Sequence, residues 1–276
     1  MAARVDEHWD DVYRTRGWRS VTWFEDDPAR SVESVMAVAP GPDSAIVDVG
    51  AGASLLVDRL LAHGYTDVTV LDGSRVALDE VRSHLGDSAG RVHFVAGDAL
   101  EWDPPRRYDV WHDRAVFHFL VEEADRARYA ARLRAALRPG GHAVVATFAP
   151  EGPDHCSGLP TMRYDAGSLV AALGDGLSLV HSEAAEHVTP TGATQPFTWV
   201  TGEVGRLTGG AAGPALGRRP VAGGPGAKRP PRSWGGLSVD VELVEVAGVE
   251  PASVGCRWAW SGPESGSDVG KYHACQ

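Results

Sequence analysis

Asp48-Val49-Gly50-Ala51-Gly52-Ala53-Ser54 follows the β-branched, apolar run Ala45-Ile46-Val47 and precedes Leu55, Leu56, Leu60 and Leu61, which recur at helical spacing until Gly64. A strand therefore turns into a helix across two glycines led by an acid. Glycine at such a turn lets backbone approach a ligand more closely than any residue with a Cβ allows. A dinucleotide fingerprint wants a third glycine three residues after the second, and Leu55 stands there instead. Its bulk takes the room a pyrophosphate needs, so NAD and FAD are disfavoured.

Working outward, the same strand-to-helix rhythm repeats. Asp67 to Asp72 reads as a second strand, Arg75 to Leu85 as a helix stopped by Gly86, Val92 to Val95 as a third strand and Tyr108 to Trp111 as a fourth. Glu122-Glu123 opens a helix whose last turn is expected to carry Arg134 and Arg138, as its dipole favours, before Pro139-Gly140-Gly141 ends it. His142 to Phe148 makes a fifth strand. Asp165 is placed to N-cap a short helix ending at Gly174, and Leu177 to Val180 with Phe197 to Val200 are expected to close the sheet as a hairpin. His187 and Gln195 then fall in the loop between those two strands. Strands alternating with helices specify an α/β fold built on a parallel sheet with helices on both faces.

Two further acids stand at strand ends. Asp72 lies 20 residues beyond Gly52 and ends the second strand, where a carboxylate can accept both hydroxyls of an adenosine ribose. Asp98, in Gly97-Asp98-Ala99 after the third strand, can accept from an adenine amino group. Either acid alone reads equally well as a turn or cap residue. Ligand-shaped features at successive strand ends carry more weight, because open α/β sheets bind ligands along the carboxyl edge of the strands.

The order of a DxGxG loop at Asp48, an acid ending the second strand at Asp72, a GD pair at Asp98 and Leu137-Arg138-Pro139-Gly140-Gly141 before the fifth strand resembles the class I methyltransferases. The resemblance spans about residues 8 to 200. It implies a Rossmann-like, seven-stranded, mostly parallel sheet with an antiparallel last strand, and S-adenosyl-L-methionine as cofactor along its carboxyl edge. Ser54 departs from the pattern, since many members have a third glycine there. Trp111-His112-Asp113-Arg114 is similar to the W-D-R stretch of thiopurine methyltransferases and, more loosely, to the D-K-G stretch of some lysine methyltransferases. His8-Trp9-Asp10-Asp11-Val12-Tyr13 and Trp23-Phe24 resemble the aromatic lid of both groups. The resemblance therefore implies cofactor contacts from Tyr13, Trp23, Asp48, Gly50, Gly52, Asp72 and Asp98.

Methyl transfer from an activated sulfonium demands a desolvated, in-line nucleophile more than a reactive side chain. Aromatic faces of Trp9, Tyr13 and Trp23 suit a cation, although each serves equally as core packing. Strand alternation places His112 and Arg114 on one side of the fourth strand and Asp113 on the other. His112 and Arg114 are therefore the candidate catalytic residues, a proton acceptor and an anion holder for the methyl acceptor. Asp113 is assigned to the cofactor's methionine amino group or to local hydrogen bonding. His118 reads as a base or as a core residue, and the loop from Cys156 to Tyr164 as a substrate cover. An NPPY or DPPY tetrapeptide, which would suggest amide or base-amine methylation, is absent after the fourth strand. A small-molecule acceptor is favoured over a protein lysine, and both over a catalytically silent nucleoside-binding domain.

Composition sets the remaining bounds. The chain has 276 residues, 43% apolar and 23% charged, enough for one sizeable α/β core. Its formal net charge of -11 disfavours nucleic acid as a partner. The charged N-terminal stretch has no apolar run, so no membrane segment is expected and the protein is read as soluble and cytoplasmic. Cys156, Cys256 and Cys275 lack the spacing of a metal site or disulfide framework, so no metal is expected. Gly and Pro number 28 in residues 1–200 and 23 in residues 201–276, a shift that marks a boundary. The expected organisation is a lid segment over 1–40, the methyltransferase domain over 41–204 and a disordered extension over 205–276, in which Val239 to Leu243 alternates as an edge strand would and leaves a small appended hairpin as the alternative.

Overall fold

The computed structural model describes residues 5–205; beyond them lie the rest of the expected extension and the Val239–Leu243 alternation. The elements run α1 (Val5–Arg16), α2 (Ala29–Val38), β1 (Ala45–Val49), α3 (Leu56–Ala62), β2 (Asp67–Asp72), α4 (Arg75–Leu85), β3 (Val92–Ala96), β4 (Tyr108–Arg114), α5 (Glu123–Ala136) and β5 (Leu137–Phe148). Two short strands follow, β6 (His155–Cys156) and β7 (Leu159–Pro160), then α6 (Ala166–Leu173), β8 (Leu177–Val188) and β9 (Thr194–Val204). Seven strands form one sheet in the order β3-β2-β1-β4-β5-β9-β8. The first five are mutually parallel, and β9 runs antiparallel between β5 and β8. The α/β fold expected from the strand-helix alternation is the one observed.

Alternation along each strand splits the core into two layers. Ile46, Val68, Val70, Val110, Val144 and Ala146 face α2, α3 and α4, whereas Val47, Val49, Trp111, Val145 and Val200 face α5 and α6. Because β1 is buried on both faces, its whole apolar run is consumed. Near the start of β4 a register shift between Tyr108 and Val110 turns Tyr108 toward the same layer as Trp111. Within the segment expected as a lid, Val32 and Val35 of α2 belong to the core.

Three expectations are corrected. Helix α5 stops at Ala136, and Leu137 already pairs with Tyr108 as a strand residue. Arg138 therefore leaves the helix dipole and pairs with Asp109 at 2.6 Å. The buried Leu137 side chain outweighs the helix-ending signal of the glycines that follow. Next, β4 continues through Arg114. Last, β8 and β9 are twelve and eleven residues long, so His187 and Gln195 are register partners inside the hairpin and not loop residues. Most of β8 is solvent-exposed, which leaves no apolar alternation to read. Its ladder with β9 makes it a strand all the same.

On the α5 side, the Trp111 indole N–H donates to Tyr129 Oη at 2.9 Å, and that hydroxyl donates to Asp113. Tyr129→Phe removes a donor from a buried carboxylate and orphans a buried indole N–H. The expected loss is about 2 to 4 kcal/mol of stability, seen as a lower denaturant midpoint at unchanged slope.

Candidate active site

The turn after β1 places Gly50 and Gly52 at φ +63° and +56°, where a side chain is strained. Space forbids one too. A Cβ on Gly50 would lie 2.0 Å from Val116 Cγ2, and one on Gly52 would meet the Tyr13 hydroxyl at 2.4 Å. Asp72 holds the turn from the neighbouring strand: Gly52 N–H donates to its Oδ2 and Ser74 N–H to its Oδ1, both at 2.7 Å. Burial pushes this carboxyl up to about 6, aided by Asp48 and Asp10 and opposed by the two N–H groups. Each oxygen keeps a lone pair for a further donor.

A cavity of about 290 Å³ opens beside this turn at the carboxyl edge. One end is formed by Gly50, Asp72, Gly97 and Asp98, the residues expected at successive strand ends. Asp98 also accepts the Leu100 N–H at 2.8 Å, so it shapes its own turn. Trp9, Phe148, Phe197 and Leu159 wall the rest, where Cys156, Gln195, Arg114, Asp125 and Tyr129 also line the space. Burial raises the Cys156 thiol. Trp9 stands edge-on to Trp23 and to Phe119, with centroids 5.7 and 5.2 Å apart.

The α1 segment reaches the sheet through Asp10, whose Oδ1 accepts from Ser74 Oγ at 2.7 Å and Val76 N–H at 3.2 Å. Burial would raise its carboxyl, but these bonds and Arg14 hold it below the ordinary value. Tyr13 is buried against the glycine turn, and its hydroxyl accepts the Trp23 indole N–H at 3.1 Å. Tyr13 and Trp23 line the cavity together.

Alternation on β4 holds as read, with a consequence for each candidate. Asp113 points into the α5 layer, where its carboxylate accepts the Val116 and Phe117 N–H groups at 3.0 and 3.1 Å and the Tyr129 hydroxyl. Burial raises its carboxyl to about 6. Of its two expected roles, local hydrogen bonding is the one this placement serves, and it does not line the cavity. His112 is also absent from that lining. It faces a second, smaller space of about 40 Å³ beneath the lid, together with Asp48, Glu25, Ser31 and Ser54. Its Nδ1 hydrogen-bonds Asp48 Oδ1 at 2.7 Å, and its buried Nε2 has no partner among the described residues. Arg114 lines both spaces, donating to the Trp23 carbonyl at 2.9 Å and to Glu25 Oε1 at 3.0 Å. Burial lowers its guanidinium against the opposing carboxylates.

His118 is buried between Phe119 and Phe148, and its Nδ1 accepts the Phe148 N–H at 3.3 Å. Burial and Arg114 hold it down to about 3, so it stays neutral and serves packing, not proton transfer. Glu25 escaped the sequence reading, as did the cavity walls Phe148 and Phe197. Nothing local distinguishes an acid after Trp23-Phe24, or apolar strand ends that happen to meet, from ordinary surface and core.

Residues 46–141 match the family model described as a methyltransferase domain. Among curated relatives, EEF1A lysine methyltransferase 2 of Danio rerio is 25% identical over 154 residues, covering 50% of this chain and 66% of that protein. Trans-aconitate 2-methyltransferase of Methylobacterium radiotolerans is 32% identical over 163 residues, 56% of this chain and 57% of that one. The matches thus span about half to two thirds of these relatives' own length. A solved protein from the conversion of a disulfide bond into a thioacetal group during echinomycin biosynthesis superposes with a TM-score of 0.61 at 22% identity, over 74% of this chain and 94% of that one. The N-methyltransferase NodS of Bradyrhizobium japonicum, in complex with S-adenosyl-L-homocysteine, shares the fold with a TM-score of 0.55 at 16% identity, over 72% and 99% of the two chains. Residues 46–141 thus match a methyltransferase domain, and the strand order around them is that of the Rossmann-like fold these solved proteins share.

Proposed function

We propose that the protein transfers a methyl group from S-adenosyl-L-methionine to a small-molecule acceptor. One observation carries the reading: a single cavity joins the strand-end acids Asp72 and Asp98 to an aromatic-walled end under Trp9 and Trp23. In this reading Asp72 receives the ribose hydroxyls with its remaining lone pairs, Asp98 receives the adenine amino group, and backbone at Gly50 borders the methionine moiety, while Gly52, which does not line the cavity, holds Asp72 in place. The aromatic faces of Trp9, Tyr13 and Trp23 suit a sulfonium. Asp48 fixes the His112 ring under the glycine turn, so His112 supports the cofactor side and does not take a proton from the acceptor. Among the lining side chains, Arg114 is a cation and burial raises the Cys156 thiol, so neither is suited to take a proton from the acceptor. An acceptor that brings its own lone pair, as a thiolate, a carboxylate or a free amine does, suits this lining.

Relatives named for protein lysine and N-terminal methylation support a second reading, a protein acceptor. Labelled S-adenosyl-L-methionine incubated with the protein and a cell extract separates the two. Label is expected in the low-molecular-weight fraction; label in protein reverses the assignment. No helix among the described residues is long and apolar enough to cross a membrane.

The site's carboxylates and its buried imidazole each set expectations for binding. Asp72→Ala lowers S-adenosyl-L-methionine affinity roughly ten- to a hundredfold by calorimetry, and NADH shows no saturable binding to either protein. Because burial places the Asp72 carboxyl at about 6, wild-type affinity falls as pH drops below that value, where the protonated form offers fewer lone pairs. His112→Ala is expected to weaken cofactor affinity and turnover together. A loss of turnover alone, with a flattened acidic limb of the pH profile, would return His112 to the role of proton acceptor.

A further inference from the structure

Two distant strands hold the same four residues of the lid. From β8, His187 Nε2–H donates to the Thr22 carbonyl at 2.6 Å, and its Nδ1 lies 3.3 Å from Glu25 Oε1. From β4, Arg114 donates to the Trp23 carbonyl and to the same Glu25 oxygen. The held segment passes its position on: the Trp23 indole N–H meets Tyr13 Oη, and Tyr13 Oη lies 2.4 Å from where a Gly52 Cβ would stand. A continuous path therefore runs from the sheet's outer hairpin to the glycine turn.

Both ring nitrogens of His187 face oxygen acceptors, and an imidazole donates to two acceptors only with a proton on each nitrogen. Glu25 remains an acceptor, because the His187 hydrogen bond and the Arg114 charge outweigh the burial that would raise its carboxyl. The other groups around this pair are His112 with Asp48 beyond Glu25, Gln195 in register on β9, and Phe197 edge-on to the His187 ring at 6.2 Å.

We propose that His187 is a positioning residue for the methyl transfer: together with Arg114 it pins Thr22 to Glu25, holding Trp23 and Tyr13 over the glycine turn, and the pin closes when the ring carries both protons. Its effect on turnover rests on the proposed methyl-transfer reading, whereas the closure itself does not.

Hydrogen exchange of the full chain, corrected for intrinsic rates, tests the closure through peptides covering residues 18–26. In the wild type, protection of this segment is expected to rise about tenfold as pH is lowered from about 8 to about 6. His187→Gln keeps a donor for the Thr22 carbonyl but gains no charge, and Glu25→Gln removes the facing carboxylate. Both variants are expected to lose that pH dependence and to bind S-adenosyl-L-homocysteine about fivefold more weakly at pH of roughly 6. Glu25→Gln alters a partly exposed side chain, so it keeps the test decisive even where His187→Gln fails to fold. An identical pH dependence of protection in all three proteins overturns the proposal. Absence of S-adenosyl-L-homocysteine binding to the wild type at every pH overturns the methyltransferase reading instead, with the exchange data still deciding the pin.

Discussion

The buried Asp72 carboxylate accepts one backbone N–H from each of two turns, Gly52 after β1 and Ser74 after β2, and the rest of the site depends on that sharing. Two parallel strands have no covalent reason to end with their turns in contact. A carboxylate on one that takes an N–H from the other makes them a single edge. Its cost is the burial of a charge, visible in the raised carboxyl, and the two N–H donors partly offset it. Ser74 Oγ extends the same edge to Asp10 of α1, so the lid helix is anchored through the residue that completes the turn.

The three consecutive residues His112, Asp113 and Arg114 show how one strand serves several ends. Pleating sends Asp113 into the α5 layer, where it ties off the backbone that follows β4. Its neighbours emerge on the opposite face, His112 against Asp48 of the adjoining strand and Arg114 further out against the lid. His112 and Asp113 are buried and Arg114 is partly so, and all three are partnered within the chain. What remains to receive a ligand is chiefly backbone, carboxylate lone pairs and aromatic surface, a combination suited to shaping a reaction whose donor is already activated.

Glu25 couples elements from opposite ends of the described chain, with Arg114 from β4 and His187 from β8 converging on one of its oxygens. A lid fixed at its carbonyls and at a single carboxylate can be released as a unit. The aromatic contacts it presents to the cavity, Trp23 with Trp9 and Tyr13, would move with it.

Sequence alone determined the strand-helix alternation, the glycine turn, the acids at the ends of β2 and β3, and the opposite facing of His112 and Asp113. These follow from local rules: side-chain period, turn chemistry and the need of a parallel sheet to be apolar on both faces. Only the tertiary structure decided that Leu137 begins a strand, that His187 and Gln195 lie within one, that Arg114 holds the lid, and that Asp113 spends its oxygens locally. Each of those depends on a partner far away in sequence, such as Tyr108 for Leu137, the β9 ladder for β8, or Glu25 for Arg114. A side chain's type states which bonds it can make; which partner reaches it first is settled by packing.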